Sequence, residues 1–400
     1  MNEHKYSDSH WMGSWIASQT YFDGKFAEDQ FKDQTIRMII RPHAFGSKIR
    51  LKFSNLYGSE PAVFGKVTAA LAAKDGETVP GTGRQVTLNG QFTIVIPAGK
   101  EIFTDPVDLE VKEHVDVAVS VYVPELTRTS TWHFSPPRST YVAGGNHSDD
   151  SNADSFRKKI HSYYWLSGME VLKQGEHFRV IVALGDSITE GSTSTPDANH
   201  RWPDIFFERL RREHPTLPVS VLNAGIVGNQ ILKNGPEVGL PIGGERVLSR
   251  LERDLFSHSG ITDVIFLEGI NDIGLGNATA NQIIEGMKAV ATRAHKKGLR
   301  IFAGTLPPFG GAGYYSQEKE LVRQEVNSWI RTNEVFDGII DFNTALADPQ
   351  YPEQLLPVYD FGDHLHPCDA GFKALADCIP LSLFIKSDLV CPNTSGFNKQ

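Results

Sequence analysis

Three cysteines in 400 residues, at positions 368, 378 and 391, are too few and too bunched to staple a fold. An odd number without an export signal favours reduced thiols, with a Cys378–Cys391 bridge left open. No apolar run is long enough to span a bilayer, and Met1–Asp8 lacks the apolar stretch of a secretory leader, so no membrane span and a cytoplasmic location are expected. Basic residues are also in short supply. With 39 Lys and Arg against 48 Asp and Glu, the formal charge is −9, and no basic block offsets it, which argues against a nucleic-acid partner. His-Glu-x-x-His and paired Cys-x-x-Cys motifs are missing, as are the P-loop and the Rossmann glycine fingerprint. The expectation is therefore no metal and no cofactor. The Gly-x-Ser-x-Gly elbow is missing too, which disfavours the α/β-hydrolase fold.

What is present suits a folded, two-domain protein. Hydrophobic residues make up 40% and charged ones 22%, enough for a core and too mixed for disorder. Before about residue 176 the runs 35–41, 48–55, 62–72, 85–88, 92–96 and 115–123 are short, alternating or β-branched, and turns such as Asn89-Gly90 separate them. Successive strands without a helical period predict an all-β sandwich over 1–175. After Gln174-Gly175-Glu176 the rhythm changes. Strand-like runs at 180–184, 219–222, 263–267, 300–303 and 338–342 alternate with helical patterns at 202–213, 244–256, 280–297, 317–332 and 370–384. That predicts an α/β domain over 176–400, a doubly wound parallel sheet of flavodoxin-like order.

The chemistry concentrates where these strands end. Gly185-Asp186-Ser187 follows the apolar run Val180–Leu184, which delivers the Ser187 hydroxyl to the carboxyl edge of the sheet. A serine needs a base, an orienter for that base and donors for an oxyanion. Asp363-His364-Leu365-His366 supplies a carboxylate and an imidazole three residues apart on a loop, a spacing that lets Asp363 hold His366. Asn223-Ala224-Gly225-Ile226-Val227-Gly228-Asn229 and Gly269-Ile270-Asn271-Asp272 each follow a strand-like run and bring donors to the same edge.

These four blocks, in this order, resemble the SGNH (GDSL-type) hydrolases, a family of serine esterases and lipases. The resemblance covers roughly residues 178–384. It implies Ser187 as nucleophile, His366 as base, Asp363 as orienter, and an oxyanion hole made by the Ser187 amide, the Gly228 amide and the Asn271 side chain. The pairing with an amino-terminal β domain looks like a bacterial two-domain subgroup, on the weaker strength of Trp11–Trp15 and the turn Ser54–Gly58. Many relatives show Asn where Cys368 stands. The thiol, two residues from the base, reads as a small packing residue, with redox or metal sensitivity left open.

The expected reaction is hydrolysis of short-chain carboxylic esters, O-acetylated carbohydrate among them, through an acyl-enzyme. A lysophospholipase or lipase is the alternative within enzymes. A carbohydrate-binding protein with an inactive hydrolase domain is the alternative from another class. Partners are accordingly a small ester or acylated carbohydrate, and a homo-oligomer stays open. The loops 234–244 and 307–315, with Phe309, Tyr314 and Tyr315, read either as pocket walls or as packing. Trp202 and Pro203 read as helix-start packing, and His364 as a solvent-facing or packing residue.

Overall fold

Alternating runs in the first half of the chain become antiparallel strands, as a side-chain period of two requires. The computed structural model describes residues 9–385 apart from 22, 23, 25–27, 135, 176 and 177; Cys391 and the first eight residues lie outside the described residues. One sheet orders Ser9–Ile16, Leu166–Gln174, Ile49–Ser54 and Glu101–Phe103, and a second orders Lys158–Ile160, Thr140–Gly144, Gln34–Ile40, Val117–Val123, Lys66–Leu71 and Arg84–Val86. Ile36, Met38, Val119 and Val121 of the second sheet share a core with Leu51, Phe53, Met169 and Val171 of the first. Their neighbours Ile39 and Ala118 point the other way, into a small cluster with Tyr141 and Phe156. The expected strand 62–72 is two strands. At Gly65, where a Cβ would lie 3.1 Å from Pro124, the chain turns from Ala62–Phe64, paired with Ile94–Ile96, into Lys66–Leu71.

The second half is a parallel sheet of β1 (Arg179–Gly185), β2 (Val219–Gly225), β3 (Ile261–Leu267), β4 (Arg300–Gly304) and β5 (Gly338–Ile340). Their order is β2-β1-β3-β4-β5, with every neighbour parallel, which is the flavodoxin-like order expected. β1 is buried on both faces. Val180, Val182 and Leu184 enter one core with Ile283, Met287 and Val326, while Ile181 and Ala183 enter another with Phe206, Leu210 and Phe372. A strand covered by helices on both sides reads as an unbroken apolar run, which is why it stood out.

Two helices differ from expectation. The one expected at 244–256 starts at Val247, and its last turn, Glu252–Phe256, is π-wound. The one expected at 370–384 stops at Cys378, because Ile379 precedes Pro380 and takes an extended conformation; the chain coils again at Ser382–Ile385. Trp202 does begin a helix, with Pro203 in its first turn and its ring fully buried 5.6 Å from Phe342.

Candidate active site

The chain leaves β1 between β2 on one side and β3 on the other, so the carboxyl end of β1 opens at a topological switch point, where α/β sheets bind ligands. Ser187 is the first residue of the short helix Ser187–Glu190, and Asp186 caps it by accepting from the Ile188 N–H at 2.9 Å. Gly225, at the end of β2, lets this helix come close: a Cβ there would sit 2.2 Å from the Glu190 nitrogen. Ser187 is only 4% exposed.

The loop 358–368 brings the imidazole to it. Ser187 Oγ stands 2.8 Å from His366 Nε2, and His366 Nδ1 stands 2.6 Å from Asp363 Oδ2. Asp363 Oδ1 also accepts from the backbone N–H groups of Leu365 and His366, at 3.0 and 2.8 Å. Burial alone would raise this carboxyl, but the hydrogen bonds from His366 and the two amides outweigh it and hold it at about 2. It is therefore a carboxylate that fixes the ring with Nδ1 as donor and Nε2 facing the hydroxyl. The loop is tied down at both ends. Phe361 N–H donates to the His366 carbonyl at 3.0 Å, Thr193 Oγ donates to the Pro367 carbonyl at 2.7 Å, and Asp369 accepts from Thr195 N–H and pairs with His200. His364 bonds Asp360 instead and faces solvent at 55% side-chain exposure. Cys368 stands before the helix Asp369–Cys378 without a side-chain cap bond, its Sγ donating to the Val358 carbonyl at 3.2 Å.

Gly228 and Asn271 belong to two segments that are bonded to each other. Gly228 adopts φ +72°, and Leu240 packs where its side chain would be, 2.2 Å from a built Cβ. Such a backbone conformation suits glycine. Asn271 Nδ2 donates to the Asn229 carbonyl at 3.1 Å, which leaves the second hydrogen of its NH₂ group for another acceptor. Asp272 accepts from Ile231 and Leu232 N–H at 2.9 and 3.0 Å. The Ile226 N–H donates to the Gly185 carbonyl at 3.1 Å, joining this loop to the strand that carries Ser187.

Beneath these segments lie three buried carboxyl groups. Burial pushes Asp186 up to about 6 and Asp272 up to about 7, each partly opposed by backbone amides. Glu268 is 1% exposed and is pushed far above the usual range by burial and by the neighbouring Asp186 charge. Among the described residues no cluster of His, Cys, Asp and Glu has the form of a metal site, and no helix is long and apolar enough to cross a membrane. Of the aromatic residues in the loop 307–315, Phe309 is fully buried, 6.0 Å from the Tyr314 ring and 5.2 Å from Tyr315, so it packs and does not line a surface. Sequence reasoning missed Arg250, the bonds that Asp272 makes to Ile231 and Leu232, and the Asp369–His200 tie, all of which join residues far apart in the chain.

A serine, a histidine and an aspartate thus stand in one hydrogen-bonded line on the switch-point edge of a parallel sheet, the order in which serine hydrolases hold their reacting groups. Residues 183–374 match the model of the GDSL-like lipase/acylhydrolase family, and this part of the chain belongs to that family of ester hydrolases. Among curated proteins none matches the chain. Solved structures similar to it include a member of the lipolytic G-D-S-L family from Veillonella parvula (20% identity, 50% of this chain and 94% of that one, TM-score 0.37). Another is an acetyl xylan esterase (21% identity, 50% and 96%, TM-score 0.38). A family two carbohydrate esterase from Clostridium thermocellum, in complex with cellohexaose, is similar over 92% of this chain and 91% of its own, at 13% identity and TM-score 0.37.

Proposed function

We propose that the protein hydrolyses esters of short-chain carboxylic acids, O-acetylated carbohydrate among them, through an acyl-enzyme on Ser187. The observation that carries this reading is the unbroken line Asp363–His366–Ser187, with separations of 2.6 and 2.8 Å. His366 Nε2 takes the Ser187 proton as Oγ bonds to the ester carbonyl carbon, and the carbonyl electrons move to oxygen. That oxyanion meets the Ser187 and Gly228 amides and the Asn271 NH₂. His366 then gives its proton to the leaving alkoxide as the C–O bond breaks. A water repeats the sequence on the acyl-enzyme and frees the acid.

Leu240 packs beside Gly228, and the Tyr314 ring packs against Gly274, one turn after Asn271. No step in this sequence needs a metal or cofactor. The two halves are read as an accessory β unit up to about residue 175 and a catalytic unit after it.

Labelling with a fluorophosphonate, followed by mass spectrometry, should place the adduct on Ser187, and Ser187→Ala should stay folded and unlabelled. An adduct on another serine overturns the assignment. A panel of p-nitrophenyl esters and acetylated sugars should show turnover falling as the acyl chain lengthens. A preference for long chains would move the reading to a lysophospholipase or lipase, and the absence of turnover with full folding would move it to a binding protein.

A further inference from the structure

Arg250 takes no part in those proton transfers, yet it is fully buried directly under the site, on the helix Val247–Leu251. Nη2 donates to the Gly185 carbonyl at 3.1 Å, two residues before Ser187. Nη1 donates to the Ala224 carbonyl at 2.8 Å, at the end of β2 and just ahead of Gly228. Nε donates to Asn229 Oδ1 at 2.9 Å. Asn229 in turn accepts from Asn271 through its carbonyl and donates its own NH₂ to the Gly243 and Glu245 carbonyls, both at 2.7 Å. One guanidinium thus touches the Ser187 segment and the Gly228 segment directly, and reaches Asn271 through one residue.

We propose that Arg250 is the positioning residue that sets the spacing of the three oxyanion donors; this rests on Ser187, Gly228 and Asn271 forming the hole. The residue type fits the task. A planar fork with five fixed N–H directions can hold three chain segments at once, whereas a lysine ammonium offers one compact centre on a flexible stem. Its charge is balanced by Asp254, whose Oδ2 accepts from Nη1 at 3.0 Å. Burial would raise the Asp254 carboxyl, but Arg253 and Arg250 hold it well below the usual range, so the pair stays charged. A lone buried guanidinium would be costly, and this one is paired, with each of its three nitrogens donating a hydrogen bond. The competing role is structural: Arg250 satisfies strand-end carbonyls in the core and contributes to stability alone.

The test compares Arg250→Lys with the unaltered full chain, using p-nitrophenyl acetate turnover, inhibition by an alkylboronate and thermal unfolding. The boronate forms a tetrahedral adduct on serine and reports affinity for the transition state, while KM reports the ground state. A displacement of the donors by about 1 Å should lower kcat about 10²-fold and weaken boronate binding by a similar factor, with KM nearly unchanged. Combining Arg250→Lys with Asn271→Ala should cost less than the product of the two single losses. Normal kcat and boronate affinity in the folded variant, with only a lower Tm, would overturn the proposal. If Arg250→Lys does not fold, Asn229→Ala removes the acceptor of the Nε bond and is held to the same two readouts. Failure of the unaltered chain to label at Ser187 brings down the hydrolase reading and this proposal with it. Labelling at Ser187 with an unaffected Arg250→Lys brings down this proposal alone.

Discussion

Replacing Asn271 with alanine separates chemistry from folding, because the side chain makes one structural hydrogen bond and has one proposed part in catalysis. One N–H of the amide bonds the Asn229 carbonyl at 3.1 Å, in a site where Asn271 is 4% exposed. Losing that bond leaves a buried carbonyl short of a donor, at a cost of about 1–3 kcal/mol. For a unit of this size that is a fall in Tm of roughly 3–10 °C. The other N–H is the proposed oxyanion donor, and losing it should lower kcat by about 10²- to 10³-fold, or about 2.7–4 kcal/mol. KM should change little, because the donor meets charge that exists only in the transition state. The assay is steady-state turnover of p-nitrophenyl acetate per active site, titrated with fluorophosphonate, alongside thermal unfolding of the same preparation. Both quantities should fall. A lower Tm with normal turnover per titrated site would confine Asn271 to the Asn229 bond and remove it from the oxyanion hole.

Asp363→Asn should cut kcat by about 10⁴-fold, since it replaces the carboxylate that fixes the His366 tautomer, with KM little altered; unchanged turnover would mean the carboxylate has no part in the reaction. In the parent the Asp363 carboxyl is held at about 2, below its unfolded value of about 3.9, so its contribution to stability is present above pH 4 and lost as pH falls through 2. Asp272 runs the opposite way: at about 7 folded against about 3.9 unfolded, its contribution is fully present below pH 4 and is lost as pH rises through 7. Urea unfolding between pH 4 and 8 should therefore show stability declining, and Asp272→Asn should flatten the decline; an equal slope in parent and variant would assign it to another group.

Two helices with one dominant signal were legible end to end, and most strands to within a few residues. The helices Trp202–Glu213 and Gln317–Thr332 coincide with their sequence patterns, the second because Ser316 caps it by accepting from Lys319 N–H at 3.3 Å. Gly65, Pro380 and the π-wound turn at Glu252–Phe256 broke patterns that hydrophobic period alone carried through them. In the site, Ser187, Asp363 and His366 were legible because each stands in a motif whose spacing implies its partner. Arg250 was not, since an arginine on an amphipathic helix reads as a solvated face until tertiary structure brings the Gly185 and Ala224 carbonyls to it. Asp272 stood beside Asn271 in plain view, but its bonds to Ile231 and Leu232 N–H join segments about 40 residues apart and leave no local trace.

The change of rhythm near residue 176 marks a change of architecture, but packing crosses it. Gly13, in the strand Ser9–Ile16, approaches β2 so closely that a Cβ would lie 2.8 Å from Leu222 Cδ1 and 3.7 Å from Val180 Cγ1, and its N–H donates to the Ser259 carbonyl at 3.0 Å. His43 stacks on Phe207 at 4.2 Å, with Nδ1 2.6 Å from the Val221 carbonyl and Nε2 3.3 Å from Asp204. His133 reaches Glu190, on the helix that carries Ser187, at 3.5 Å. A fragment of residues 176–400 would uncover the sides of Val180 and Leu222 that face Gly13, both residues being fully buried in the whole chain, with full exposure at about 1.5–3 kcal/mol each as the upper bound. The sum, at most about 3–6 kcal/mol, is a large part of an ordinary domain's stability of 5–15 kcal/mol. At roughly 3 °C per kcal/mol, the fragment should melt up to about 10–20 °C below the full chain. It should also turn over acetate esters more slowly per folded molecule, because the support of Glu190 is gone. Differential scanning calorimetry and turnover on both proteins decide this: a fragment that melts within a few degrees of the parent and keeps its kcat would show the β half to be a separable accessory, with the contacts at Gly13, His43 and His133 contributing little.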